Sequence, residues 1–142
     1  MSGSATDAKE PAVQTSASGK YVYVSWTEGS GGIYSSVSSN GGNTWSTPLK
    51  ISKSGGTADF PVMITGDGYE TFNSGDVYVA WAQTVSTVLQ IFVASSTNNG
   101  ATFKTIQVTT AGGITPALAA SGVNVYVTWF QTTPCAVTAL NP

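Results

Sequence analysis

VYVSW (Val22–Trp26), VYVAW (Val77–Trp81) and VYVTW (Val125–Trp129) write one five-residue pattern three times in a chain of 142 residues. β-branched and aromatic side chains of this kind suit a pleated strand. Because the side chains of a strand alternate between its faces, V-Y-V-x-W is apolar on both sides. That fits a sheet covered on both faces. The tryptophans are spaced by 55 and then 48 residues, and self-similarity at such a period marks a repeat architecture.

The flanking residues repeat as well. Each copy follows a glycine-containing turn: Gly19 in the first, Gly75 in the second, Gly122 in the third. Each is preceded by a proline-led apolar segment starting at Pro11, Pro61 or Pro116. After the first two copies comes another strand-like run, IYSSVS from Ile33 and LQIFVASS from Leu89. These runs lead into SSNGGNTW (Ser38–Trp45) and STNNGATF (Ser96–Phe103), which share the skeleton Ser-x-Asn-x-Gly-x-Thr-aromatic. PLKIS (Pro48–Ser52) and KTIQVT (Lys104–Thr109) follow. One unit therefore holds four short strands, and no stretch carries a helical period.

Four antiparallel strands recurring at about fifty residues predict an all-β chain of β-propeller blades. The expected layout is a flexible leading segment over residues 1–10, then blades at 11–58 and 59–112 and a partial blade at 113–142. The tail TTPCAVTALNP offers the third unit a weak third strand. Two and a half blades leave apolar faces open at both ends, and such faces mark an interface. Closure is expected from further copies of the chain or from further blades of a longer parent protein, with an open sandwich-like stack as the other arrangement.

The two Ser-x-Asn-x-Gly-x-Thr-aromatic segments sit between the last two strands of their units. Asn40 and Asn98 can accept N–H groups inside their own turn and tolerate left-handed backbone angles. Gly42 and Gly100 supply a positive φ. Ser38, Ser96, Thr44 and Thr102 can bond across the turn, and Trp45 and Phe103 fold back between the strands. The segments resemble the Asp-box (BNR) repeat of the sialidase superfamily, Ser-x-Asp-x-Gly-x-Thr-Trp, with Asn40 and Asn98 in place of the Asp. The likeness runs over about residues 11–131. It implies a propeller in which these turns lie at the rim, away from the catalytic face, with a structural role.

The same resemblance raises the question of sialidase activity. The sialidases that share the repeat clamp a carboxylate with three arginines, and use a Tyr–Glu pair and an Asp in catalysis. This chain has no arginine, and lysine does not reproduce the bidentate grip of a guanidinium. A glycosidase of another kind needs two facing carboxylates. The seven acidic residues are Asp7, Glu10, Glu28, Asp59, Asp67, Glu70 and Asp76. Glu28 stands two places past Trp26, where the other units have Gln83 and Gln131, and reads as a solvated loop residue. Asp67, Glu70 and Asp76 gather oxygen ligands in one loop, but their spacing is not that of an EF-hand. With no histidine and one cysteine, Cys135, transition-metal and thiol chemistry lack ligands and a base. No cofactor or metal is expected.

Charge narrows the partners. Charged residues make up 8% of the chain, net charge is -2, and the five lysines are scattered, so nucleic acid has no basic patch to meet. No apolar run has the roughly 18 residues of a membrane-spanning helix. With 18 Ser, 20 Thr and 16 Gly, the charge-poor surface suits a cell-surface or extracellular setting. Trp26, Trp81 and Trp129 have two readings. In one, Val and Trp share a strand face packed between blades. In the other, the tryptophans with Glu28 present repeated sites on which sugar rings stack. Two functional expectations follow: a non-enzymatic propeller for binding, adhesion or surface assembly that can take a glycan, and a sialidase-like glycoside hydrolase active only with further blades. An excised blade fragment without activity is a third.

Overall fold

The V-Y-V-x-W segments become the second strands of three antiparallel sheets. The computed structural model describes residues 7–29, 31–66, 75–121, 124–131 and, for the backbone alone, 136–140. The first sheet holds β1 (Ala8–Thr15), β2 (Val22–Glu28), β3 (Gly32–Ser38) and β4 (Leu49–Lys50), side by side in chain order. The second repeats that order with β5 (Ala58–Thr65), β6 (Val77–Val85), β7 (Val88–Ser96) and β8 (Lys104–Gln107). The third has β9 (Ile114–Ser121), β10 (Asn124–Phe130) and β11 (Ala136–Leu140). The weak third strand expected in the tail is thus β11, paired antiparallel to β10. There is no helix among the described residues.

Two boundaries differ from expectation. Pairing of Ala8 with Glu28 and Lys9 with Thr27 draws residues 8–10 into the first sheet, so the leading segment expected over residues 1–10 is partly strand. The fourth strand of the first unit shrinks to Leu49–Lys50, because Pro48 has no N–H to give a ladder. Cys135, Asp67 and Glu70 lie outside the described residues.

The sheets stack face to face in chain order. β6 is buried along its first seven residues, because the second sheet is covered on both sides. On one side, Met63, Val79, Trp81, Phe92 and Ala94 pack against Tyr23, Ile33 and Ile51 of the first unit. On the other, Ala80, Ala82, Ile91 and Val93 meet Val127 and Trp129 of the third. The alternation of Val79 and Trp81 with Ala80 and Ala82 is what divides the strand between two cores. First strands lie nearest one another, β5 touching both β1 and β9. Thr65 Oγ1 donates to the Thr15 carbonyl at 3.3 Å and Thr105 Oγ1 to the Ile51 carbonyl at 2.9 Å, pinning both edges of the first two sheets together. The linker between them approaches so closely that a Cβ on Gly56 would lie 1.8 Å from the Thr84 carbonyl oxygen.

Each first strand breaks register at the same place. The pairing shifts between Lys9 and Ala12, between Asp59 and Val62, and in the third sheet between Thr128 and Phe130 on the partner strand. The residues at these bulges are Glu10, Phe60 and Thr115, with φ of 54°, 59° and 48°. Each precedes a proline. A bulge in an edge strand accommodates the missing proline N–H, and it re-aims the residue before it.

Candidate functional site

The two Asn-containing turns share one core of hydrogen bonds. In the first, Ser38 Oγ donates to Asn40 Oδ1 at 3.0 Å and accepts the Gly42 N–H at 2.8 Å. Asn40 Oδ1 also accepts the Thr44 N–H at 2.8 Å, while Asn40 Nδ2 donates to Thr44 Oγ1 at 2.8 Å. In the second, the same four bonds join Ser96, Asn98, Gly100 and Thr102 at 2.9, 2.9, 3.0 and 2.9 Å. Both turns are also tied to the preceding hairpin, Gly41 N–H to the Lys20 carbonyl and Asn99 N–H to the Gly75 carbonyl, each at 2.9 Å. Gly42 and Gly100 have the positive φ expected of them, and the second left-handed residue of each turn is the one after the bridging Asn. Asn40 and Asn98 are not left-handed; Gly41 with Gly42, and Asn99 with Gly100, are.

The closing aromatics do different things. Trp45 is half-buried and its indole N–H donates to the Gly42 carbonyl at 3.0 Å, so the ring closes over its own turn. Phe103 packs against the core between the first two sheets. Beside it, the Tyr23 hydroxyl of the first sheet donates to Asn99 Oδ1 of the second turn at 3.2 Å. The second turn is therefore also a sheet-to-sheet joint. Its residues are engaged in bonds within the protein, as a structural role requires.

The three equivalent tryptophans are buried, Trp81 completely. Their indole N–H groups share one arrangement: Trp26 donates to Glu28 Oε2 at 2.8 Å, Trp81 to Gln83 Oε1 at 3.1 Å and Trp129 to Gln131 Oε1 at 3.2 Å. The rings pack between strands, Trp26 over Tyr34 and Trp81 over Phe92, which agrees with the packed reading of the repeated tryptophans and not with presented, sugar-stacking ones. Glu28 is likewise not a solvated loop residue, since it anchors an indole. The glutamines do a second job, Gln83 Nε2 donating to the Lys53 carbonyl at 2.8 Å and Gln131 Nε2 to the Ala111 carbonyl at 3.2 Å. An ionised glutamate has no N–H to repeat that bond.

The first-strand bulges bring together groups that the tryptophan pattern does not point to. Glu10 Oε2 accepts the Phe60 N–H at 2.9 Å and the Thr27 hydroxyl at 3.0 Å, joining the bulges of the first two sheets. One residue earlier in each strand, Lys9 and Asp59 form an ion pair of 3.3 Å. The hydrogen bond to Asp59 and its charge hold the Lys9 ammonium above its usual pKa. Phe60 is 54% exposed, an unusual outcome for a phenylalanine held at a left-handed angle. Further along, an open groove of about 320 Å³ runs between the β6–β7 turn and the third sheet, lined by Val88, Leu89, Gly113, Ile114 and Phe130 among others. The signal for the bulges lay in the sequence as Lys-Glu-Pro, Asp-Phe-Pro and Ile-Thr-Pro at one position of three units. A proline inside a strand calls for an edge or a bulge.

A second staple repeats in the first two sheets. Ser52 Oγ accepts the Ile33 N–H and Thr109 Oγ1 the Ile91 N–H, both at 3.0 Å. It explains why a hydroxyl ends both PLKIS and KTIQVT.

No open pair of carboxylates appears at the bulges, since Glu10 is held by two donors and Asp59 by Lys9. Asp76 is buried at the head of β6, where its charge joins burial in raising the Tyr78 phenol. Among the described residues no group of three or more His, Cys, Asp or Glu is placed to hold a metal ion, and no helix is long and apolar enough to cross a membrane. No protein-family model matches the chain, and no curated protein matches it.

Proposed function

We propose that the chain is a set of β-propeller blades of the Asp-box type, acting without catalysis as a binding, adhesion or surface-assembly module outside the cell or at its surface. Three stacked antiparallel sheets with neighbouring first strands support the blade reading. Two identical Asn-box networks support the likeness to the sialidase repeat. The single observation that carries a binding role is the bulge face of the first strands. Three non-glycine residues are held there at left-handed angles costing on the order of 1–3 kcal/mol each. One of them turns the Phe60 ring to solvent beside the Lys9–Asp59 pair.

An exposed aromatic face with neighbouring charged hydrogen-bonding groups suits a sugar ring. A glycan array read with the intact chain, followed by Phe60→Ala, tests this reading. Binding that falls at least tenfold in a variant with unchanged circular dichroism supports it. Turnover of fluorogenic glycosides by the wild type would replace it with the hydrolase reading. Glycan binding that survives Phe60→Ala would move the site elsewhere.

A further inference from the structure

The two internal interfaces are copies of one another, and the free outer faces are the two halves of a third. A sheet docks onto the one before it through its V-x-V-x-W face: Met63, Val79 and Trp81 in the second sheet, and Leu118, Val127 and Trp129 in the third. A sheet receives the next through the alternate positions: Ala12, Tyr23, Ser25 and Thr27 in the first, and Val62, Tyr78, Ala80 and Ala82 in the second. Small side chains at the receiving positions let the tryptophan face come close. Ser25 Oγ, for instance, sits 3.9 Å from the Met63 sulfur.

In the first sheet the docking face is Val13, Val24 and Trp26, by the same register; Trp26 is already buried there, so the open part of the face is Val13 with half-buried Val24. Val13 is 61% exposed, whereas Met63 in the same place of the second sheet is 5% exposed. In the third sheet the receiving face is Ala117, Tyr126, Thr128 and Phe130. Ala117 and Phe130 are exposed there, while Thr27 and Ala82, at the Phe130 position, are buried. One end of the stack therefore carries a docking face and the other a receiving face, each continuous in pattern with interfaces already formed inside the chain. We infer that a second copy of this chain covers both, its first sheet seated head-to-tail on the third sheet of its partner. Two such contacts close a ring of two chains, as a heterologous interface does when its rotation closes. The inference rests on reading the sheets as propeller blades. It names their missing neighbours.

The test uses the whole chain and two charge insertions at exposed sites, Val13→Arg on the docking face and Ala117→Arg on the receiving face. Light scattering after gel filtration should give the wild type twice the 14.5 kDa chain mass and each variant alone a single chain mass. An equimolar mixture of the two variants keeps one intact docking face and one intact receiving face, and should recover a pair. A wild-type monomer at all concentrations overturns the inference, as does a pair indifferent to both variants. A pair that only one of the two variants breaks means a symmetric, like-on-like contact and also overturns it, as does a pair that both variants break and the mixture does not restore. A ladder of species beyond two chains contradicts ring closure. None of these outcomes touches the blade reading, which stands on contacts inside one chain and is checked separately by amide exchange at Ala58 and Phe60.

Discussion

Val13 and Met63 hold one position in the first strands of the first and second sheets, yet one is mostly exposed and the other mostly buried. Val24 and Val79, facing the same way one strand over, differ likewise, half-buried against buried. The strand pattern around them is nearly identical. The comparison separates what the repeat encodes from what neighbours add. Alternation and turn chemistry make the sheet; a second sheet on the same face makes the core. Where the sequences diverge, the divergence follows the neighbour. Gln83 reaches the linker carbonyl of Lys53 through its amide N–H, while Glu28, at the equivalent place in the first sheet, takes its indole N–H and has no side-chain N–H of its own when ionised.

The largest break in that comparison is Trp81→Ala. The ring is fully buried between two sheets, and its removal should cost about 3–5 kcal/mol. Trp26→Ala, in the sheet with one open face, should cost less. Urea unfolding midpoints at constant m compare the two, and equal losses would show that the first sheet is as well covered as the second.

Exchanging the indole anchors comes next. Gln83→Glu removes the donor to the Lys53 carbonyl and buries a carboxylate, at a cost of about 1–3 kcal/mol or somewhat more for the charge. Burial raises the new carboxyl's folded pKa above its unfolded value of about 4.3. Stability is then highest below that pH and falls as pH rises through the folded pKa. Glu28→Gln should be close to neutral. Thermal melts from pH 4 to 8 distinguish the pair, and a pH-independent Gln83→Glu would mean that the site is wet.

Asn40→Ala and Asn98→Ala sharpen the comparison by predicted equality. Each deletes the same bridge to a Thr N–H and a Thr hydroxyl. Each should lose about 1–3 kcal/mol. Tyr23→Phe should cost about 0.5–1.5 kcal/mol, through the hydroxyl that joins the first sheet to Asn99. That effect should vanish in an Asn99→Ala background, as a double-mutant cycle would show.

The smallest effect is alkaline. Lys9 and Tyr78 both have folded pKa values raised above their ordinary ones of 10.5 and 10.0. Their contributions are complete below pH 10 and fade as pH rises through the raised values. Lys9 is exposed and its share is slight, so Asp59→Asn should leave most of the alkaline loss to Tyr78.

Much of this fold was legible as pattern. Strand order, the doubled Asn turn and the pairing of a tail strand follow from alternation, glycines and a repeat period, which are local and periodic signals. The role of Glu28 was only half legible: it lies two residues past Trp26 in β2 and so on the same face, but the pattern does not show that its carboxylate takes the indole N–H. Positive φ at Gly42 and Gly100 followed from the turn pattern, whereas the left-handed angles at Gly41 and Asn99 did not, because Asn40 and Asn98 could have taken them. The bulges at Glu10, Phe60 and Thr115 were signalled by the proline after each, which calls for an edge or a bulge but does not give the register it breaks. Exposure of Phe60, which makes that face a candidate for binding, is a consequence of tertiary geometry alone.

Amide hydrogen exchange at Ala58 and Phe60 tests the stacking of sheets most directly. The Ala58 N–H donates to the Gly31 carbonyl at 2.8 Å and the Phe60 N–H to the Glu10 carboxylate at 2.9 Å, both across the first two sheets. Exchange at both should be slowed to a rate close to that of the β6 core amides, and Glu10→Ala should release Phe60 alone. Fast exchange at both, with β6 still protected, would mean that the sheets form separately and do not stack as described.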